Sequence, residues 1–138
     1  MKRFAVHLLF AHFVVLFAGL LPAAEAPTNR VVVMYFHRTE RCPTCQRMGG
    51  YSEEAVKTAF AEQMKTGQVA LHDIDFQAAQ NARYVKAYRI AGPTLIVAKI
   101  TDNKVETYRN LDEIWSKVRD KGAFFRYVQE NVEALLPQ

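Results

Sequence analysis

The 138-residue chain is expected to fold as an α/β domain, a central mixed sheet of about four strands in the order β-α-β-α-β-β-α, flanked by helices. Three observations carry this expectation. Short β-branched and aromatic runs at residues 31–36, 69–74 and 94–100 alternate with stretches of helical spacing. Asp102-Asn103 stands between two extended runs as a tight-turn dipeptide, so a fourth strand, at 105–108, folds straight back on the third. The only two cysteines, Cys42 and Cys45, stand two residues apart, directly after the first strand and at the start of a helical stretch.

Ahead of the first strand lies a targeting pattern. Met1-Lys2-Arg3 is basic, residues 4–21 are almost wholly apolar, and Pro22-Ala23-Ala24 ends the run with small residues. Residues 1–24 therefore read as a secretory signal peptide cleaved after Ala24. A retained membrane anchor is the alternative, because a span needs roughly 17–25 apolar residues. On either reading, residues 25–138 are one exported domain, periplasmic or otherwise extracytoplasmic, and large enough for its own core. The formal charge is +4. Loss of Lys2 and Arg3 with the leader lowers it to about +2. There is no basic tail and no Lys/Arg run, so nucleic acid is not an expected partner.

The elements follow in order. The continuous run at 31–36 suits a strand buried on both faces. Residues 42–48 form a helical turn or two, with Pro43 at the start, and Gly49-Gly50 interrupts them. Ser52 then reads as an N-cap for a helix carrying Val56, Ala59, Phe60 and Met64, which Gly67 ends. After the strand at 69–74, residues 78–88 read as a helix with Ala82, Val85 and Tyr88 on one side. Strands separated by helices imply parallel pairing. In the C-terminal third, Leu111, Ile114, Trp115 and Val118 share one helical face. Asp120-Lys121-Gly122 breaks the run, and Phe124, Phe125, Val128, Val132 and Leu135 resume it. Trp115, Phe124 and Phe125 are expected to face the core. His37 and His72 read as ordinary polar residues near strand ends, and Asp73 and Asp75 as the place where a strand leaves the core.

Cys42-Pro43-Thr44-Cys45 has the spacing of a dithiol/disulfide redox pair. The thiolate is the reactive form. Cys42, at a helix N-terminus, is favoured as an anion by the peptide dipoles. Arg41, Arg38 and His37 are expected to help, and Glu40 to oppose. Cys42 would attack and Cys45, one turn on and more buried, would resolve. Two other uses stay open. A structural disulfide across two residues constrains little of the unfolded chain. Two thiolates could hold Cu(I) in a module that delivers metal or binds a partner, whereas tetrahedral zinc would need His37, His72 or others to converge.

Two further landmarks stand in sequence order with the cysteines: Tyr88-Arg89-Ile90-Ala91-Gly92-Pro93-Thr94 before the third strand and Thr107-Tyr108-Arg109-Asn110-Leu111 before the last helices. Over roughly residues 30–136 the chain resembles the thioredoxin family. The resemblance implies a catalytic pair Cys42 and Cys45, and a cis-proline at Pro93 that shapes a partner groove with Gly92 and Thr94. It implies a dithiol environment set by Pro43, Thr44 and Arg41, and no bound cofactor or metal. It also implies protein thiols or disulfides as partners, and a membrane or periplasmic redox protein that recycles the pair. The chain departs from ordinary thioredoxins in its Pro-Thr dipeptide and in Arg41, where tryptophan is usual. Met34, Tyr35 and Phe36 occupy the stretch that holds the family's buried acid. Arg41-Cys42-Pro43-Thr44-Cys45, Asn110-Leu111-Asp112, Ile114-Trp115 and Val118-Arg119-Asp120-Lys121 are similar to a family of small exported thioredoxin-like proteins labelled nitrophenyl compound nitroreductase subunit. Nitroreduction normally needs a flavin or similar group, and the chain has no dinucleotide fingerprint. That resemblance therefore implies an electron-delivering subunit.

Overall fold

The computed structural model describes residues 26–137; the expected leader and its cleavage point lie outside them. Four strands form one sheet in the order β2-β1-β3-β4. They are β1 (Arg30–His37), β2 (Val69–Asp75), β3 (Thr94–Thr101) and β4 (Lys104–Asn110). β1 pairs parallel with β2 and antiparallel with β3, and β3 pairs antiparallel with β4. The antiparallel β1–β3 pairing corrects the expectation that helix-separated strands run parallel. The reason is length. α3 (Ala82–Tyr88) has seven residues, about 10 Å of helix, too short to carry the chain back along an eight-residue strand of about 26 Å. β3 therefore starts at the sheet end where β2 finished, with Thr94 beside Phe36. Asp102 and Asn103 both take positive φ, 50° and 59°, as the tight hairpin requires.

α1 (Pro43–Ala59) runs unbroken through Gly49-Gly50, against the expected interruption. A Cβ on Gly49 would stand 2.9 Å from the Tyr35 ring, so the glycine allows β1 and α1 to approach closely. Ser52 is not an N-cap. It is buried inside α1, where its hydroxyl donates to the Met48 carbonyl at 2.8 Å. α2 (Ala61–Lys65) is a short continuation, and a 3₁₀ turn, Ala79–Asn81, precedes α3. Arg89 closes α3 in the left-handed conformation. The C-terminal third divides into α4 (Ile114–Lys117) and α5 (Lys121–Glu133), the latter capped by Asp120, which accepts from the Ala123 amide at 2.9 Å.

The alternating strand residues separate two apolar layers. Val31, Val33 and Tyr35 pack with Leu95 and Val97 against α1 and α5. Met34, Phe36, Ile96 and Ile100 face the other way, toward Tyr88 and Ile90. Phe124 is fully buried and Phe125 half-buried. Trp115 is 45 % exposed, a correction to its expected core position. α4 is a single turn whose neighbours Ile114 and Val118 take the inward side. Among the described residues no helix is long and apolar enough to cross a membrane.

Candidate active site

The sheet end from which β1 leaves is where the site is built. Residues 38–41 lead from β1 to α1 and are pinned to the end of β2. The Thr39 hydroxyl donates to Asp75 at 2.7 Å, and the Gln77 amide donates to the same carboxylate at 2.9 Å. The Thr39 bond, seconded by Gln77, holds the Asp75 carboxyl below the usual carboxylate range.

Cys42 is the N-cap of α1, in extended backbone conformation, and its sulfur accepts from the Cys45 amide at 3.1 Å. Pro43 opens the helix, where its missing N–H costs nothing. Cys42 and Cys45 are joined in a disulfide, with Cα atoms 5.0 Å apart. Their exposures differ: Cys42 is open to solvent and Cys45 buried, with Thr44 between these extremes. A sulfur at a 17-residue helix's N-terminus meets free amides and the positive end of aligned dipoles, both of which favour the thiolate when the bond is reduced.

Beneath the pair, the buried Tyr35 hydroxyl donates to the Cys45 carbonyl at 2.7 Å. Burial pushes the Tyr35 hydroxyl up to about 12; Arg41 acts against this and Asp73 with it. It stays a neutral donor throughout the working range of a thiol.

Arg41 does not aim its charge at the sulfurs. Its guanidinium donates to Asp73 at 2.6 Å and to His37 Nε2 at 2.7 Å. His37, 7 % exposed, has its other nitrogen, Nδ1, 2.7 Å from the Arg38 carbonyl. That carbonyl can only accept, so Nδ1 carries the proton and Nε2 is the acceptor facing Arg41.

Gly92, Pro93 and Thr94 lie at the same sheet end. Thr94 is buried and its hydroxyl donates to the Asn110 side chain. The Pro93 carbonyl accepts from the Trp115 indole N–H at 2.9 Å. Among the described residues every peptide bond is trans, which corrects the expected cis bond at Pro93. The trans form is the intrinsically favoured one, and left-handed Arg89 turns the chain just upstream.

No family model and no curated protein matches the sequence. Solved structures do. Human ERp44 in form I is similar over 75 % of this chain, at 21 % identity and a TM-score of 0.52; the chain spans 25 % of ERp44. The zinc-bound form of human ERp44 gives the same identity and TM-score over 27 % of its length. An oxidised thioredoxin O2 of Arabidopsis thaliana matches at 15 % identity and a TM-score of 0.42, covering 70 % of this chain and 76 % of its own. The fold is thioredoxin-like. At these identities the likeness is one of fold. The strand–cysteine pair–helix unit and the proline-led strand of this thioredoxin-like domain meet at one sheet end.

Two participants, Tyr35 and Asp73, were not foreseen, and His37, expected to add charge near Cys42, is instead the acceptor for Arg41. Tyr35 carries the one hydroxyl in an otherwise apolar run, and a buried tyrosine O–H needs a partner; that was the available signal. Asp73 gave none, because its approach depends on the β1–β2 register, which sets it opposite Tyr35. Among the described residues no group of three or more His, Cys, Asp or Glu is gathered as a metal site.

Proposed function

We propose that this protein is an exported thiol–disulfide oxidoreductase that exchanges disulfides with protein partners through Cys42 and Cys45. The observation that carries the reading is the unequal placement of the two sulfurs. Cys42 is exposed and caps α1, while Cys45 is buried one turn on and bonded to it.

In the reducing direction the Cys42 thiolate attacks one sulfur of a partner disulfide. A Cys42–partner disulfide forms, the partner's S–S bond breaks, and its second sulfur leaves as a thiolate that takes up a proton. Cys45, having lost its proton, then attacks the Cys42 sulfur. The intramolecular disulfide reforms and the other partner sulfur departs as a thiolate. Two electrons have passed to the partner. The oxidised pair runs the same steps backwards on a partner dithiol. No bound group is needed, and the protein returns to its starting state through a second redox protein in the membrane or periplasm. Delivery of electrons to a nitroreductase system, which the closer sequence resemblance implies, would use this same exchange.

Insulin reduction in dithiothreitol tests the reading. Wild type is expected to accelerate precipitation of the insulin B chain, and Cys42→Ser to abolish the acceleration. Equal, negligible activity in both proteins overturns the proposal. Equilibration with glutathione then gives direction. A potential near about −270 mV marks a reductant and one near about −120 mV an oxidant.

A further inference from the structure

Arg41 immediately precedes the exposed sulfur, so its charge could lower the Cys42 pKa strongly. Its geometry denies this. A Cβ on Gly49 would lie 3.6 Å from the Arg41 guanidinium. Gly49 is seven residues beyond Cys42, about 10 Å along the helix axis at 1.5 Å per residue. The side chain therefore runs back along α1 to β2, away from the helix N-terminus. There its charge meets the Asp73 carboxylate at 2.6 Å and the His37 lone pair at 2.7 Å.

We infer that Asp73 and His37 are positioning residues that hold the Arg41 guanidinium off the dithiol, and so keep Cys42 less acidic and the pair less oxidising. The inference rests on the redox reading of Cys42 and Cys45. Three features fit a clamp better than a chance surface pair. His37 is buried, and its tautomer is fixed by the Arg38 carbonyl so that it presents an acceptor to Arg41. Asp73 sits in register with Tyr35, directly beside the strand that leads to the site. Glycine at position 49 leaves room for the arginine and the Tyr35 ring together. Besides Asp73 and the neutral Tyr35 hydroxyl, the charged or titratable groups on the cavity that Arg41 lines are His72, Glu53 and Lys57. Glu53 and Lys57 pair with each other, which leaves Asp73 as the counter-charge for Arg41.

Removing the clamp's carboxylate should free Arg41 toward the sulfur. Asp73 is half-exposed, so the isosteric Asp73→Asn change leaves the core intact. In the chemically reduced protein, the iodoacetamide rate of Cys42 at pH 6 is expected to rise roughly three- to tenfold in Asp73→Asn, because a lower pKa raises the thiolate fraction. The equilibrium with glutathione should move by a similar factor toward reduced protein. Arg41→Gln alone should change both by less than about twofold, and Asp73→Asn added to Arg41→Gln should do no more. An unchanged rate in Asp73→Asn overturns the inference. So does an equal rise in the Arg41→Gln background, since Asp73 would then act on the sulfur without Arg41. The two readouts separate the proposals. A pair that never equilibrates with glutathione sinks the redox function, while the alkylation rates still decide the clamp.

Discussion

The hydroxyl of Tyr35 joins the sheet to the dithiol helix through one hydrogen bond, to the Cys45 carbonyl. Tyr35→Phe removes it and leaves the Cys45 carbonyl with its helix bond alone, at a cost of about 1 kcal/mol. Its titration adds a pH signature. The folded-state value of about 12 lies above the ordinary 10.0, so folding favours the protonated form. That contribution is complete below pH 10 and is lost as pH rises from 10 toward 12, about 2–3 kcal/mol in all. Denaturant unfolding at pH 9 and pH 11 is expected to show a steeper loss for wild type than for Tyr35→Phe. Identical losses would mean that the phenol is not held neutral by the fold. At this scale the cysteine pair was legible from its spacing, whereas Pro93 and Thr94 were singled out only by the resemblance to the thioredoxin family. The destination of the Arg41 side chain was not legible, because its carboxylate partner, Asp73, comes from a strand 32 residues away in sequence.

Helix α1 contains two adjacent glycines with opposite surroundings. A Cβ at Gly49 meets the Tyr35 ring at 2.9 Å, whereas at Gly50 nothing lies within 4 Å. Gly50→Ala is expected to stabilise by up to about 1 kcal/mol, the ordinary gain of alanine over glycine inside a helix. Gly49→Ala must displace Tyr35 and is expected to destabilise despite the same propensity gain. Thermal melts of the two variants check the pair, and a shared sign would refute the close-approach account. From sequence the two glycines read as a break, since propensity treats them alike. The packing that rescues the helix is tertiary. For the same reason Ser52, a good cap by type, sits mid-helix, and the true cap is Cys42. The hairpin turn was legible because its chemistry is local: Asp102 and Asn103 tolerate the positive φ that the turn imposes.

Across the whole molecule, alternation of apolar runs was enough to foresee a mixed four-stranded sheet with helices around it. Strand direction was not legible, since it depends on whether the connecting helix is long enough to cross the sheet. The short α3 keeps the chain at one sheet end, and this brings the proline-led strand to the side from which β1 delivers the cysteines. The short helix α4 reaches that end through a single side chain. Trp115, the sole tryptophan of the chain, stands half-exposed with its indole N–H on the Pro93 carbonyl. The protein thus carries a built-in optical reporter. A polypeptide that docks on the Gly92–Pro93–Thr94 loop would desolvate this one fluorophore, so a blue shift of intrinsic emission should track partner docking without any label. Trp115→Phe should erase the signal while leaving the exchange chemistry in place. Emission that stays constant as a partner peptide saturates the protein would place docking elsewhere.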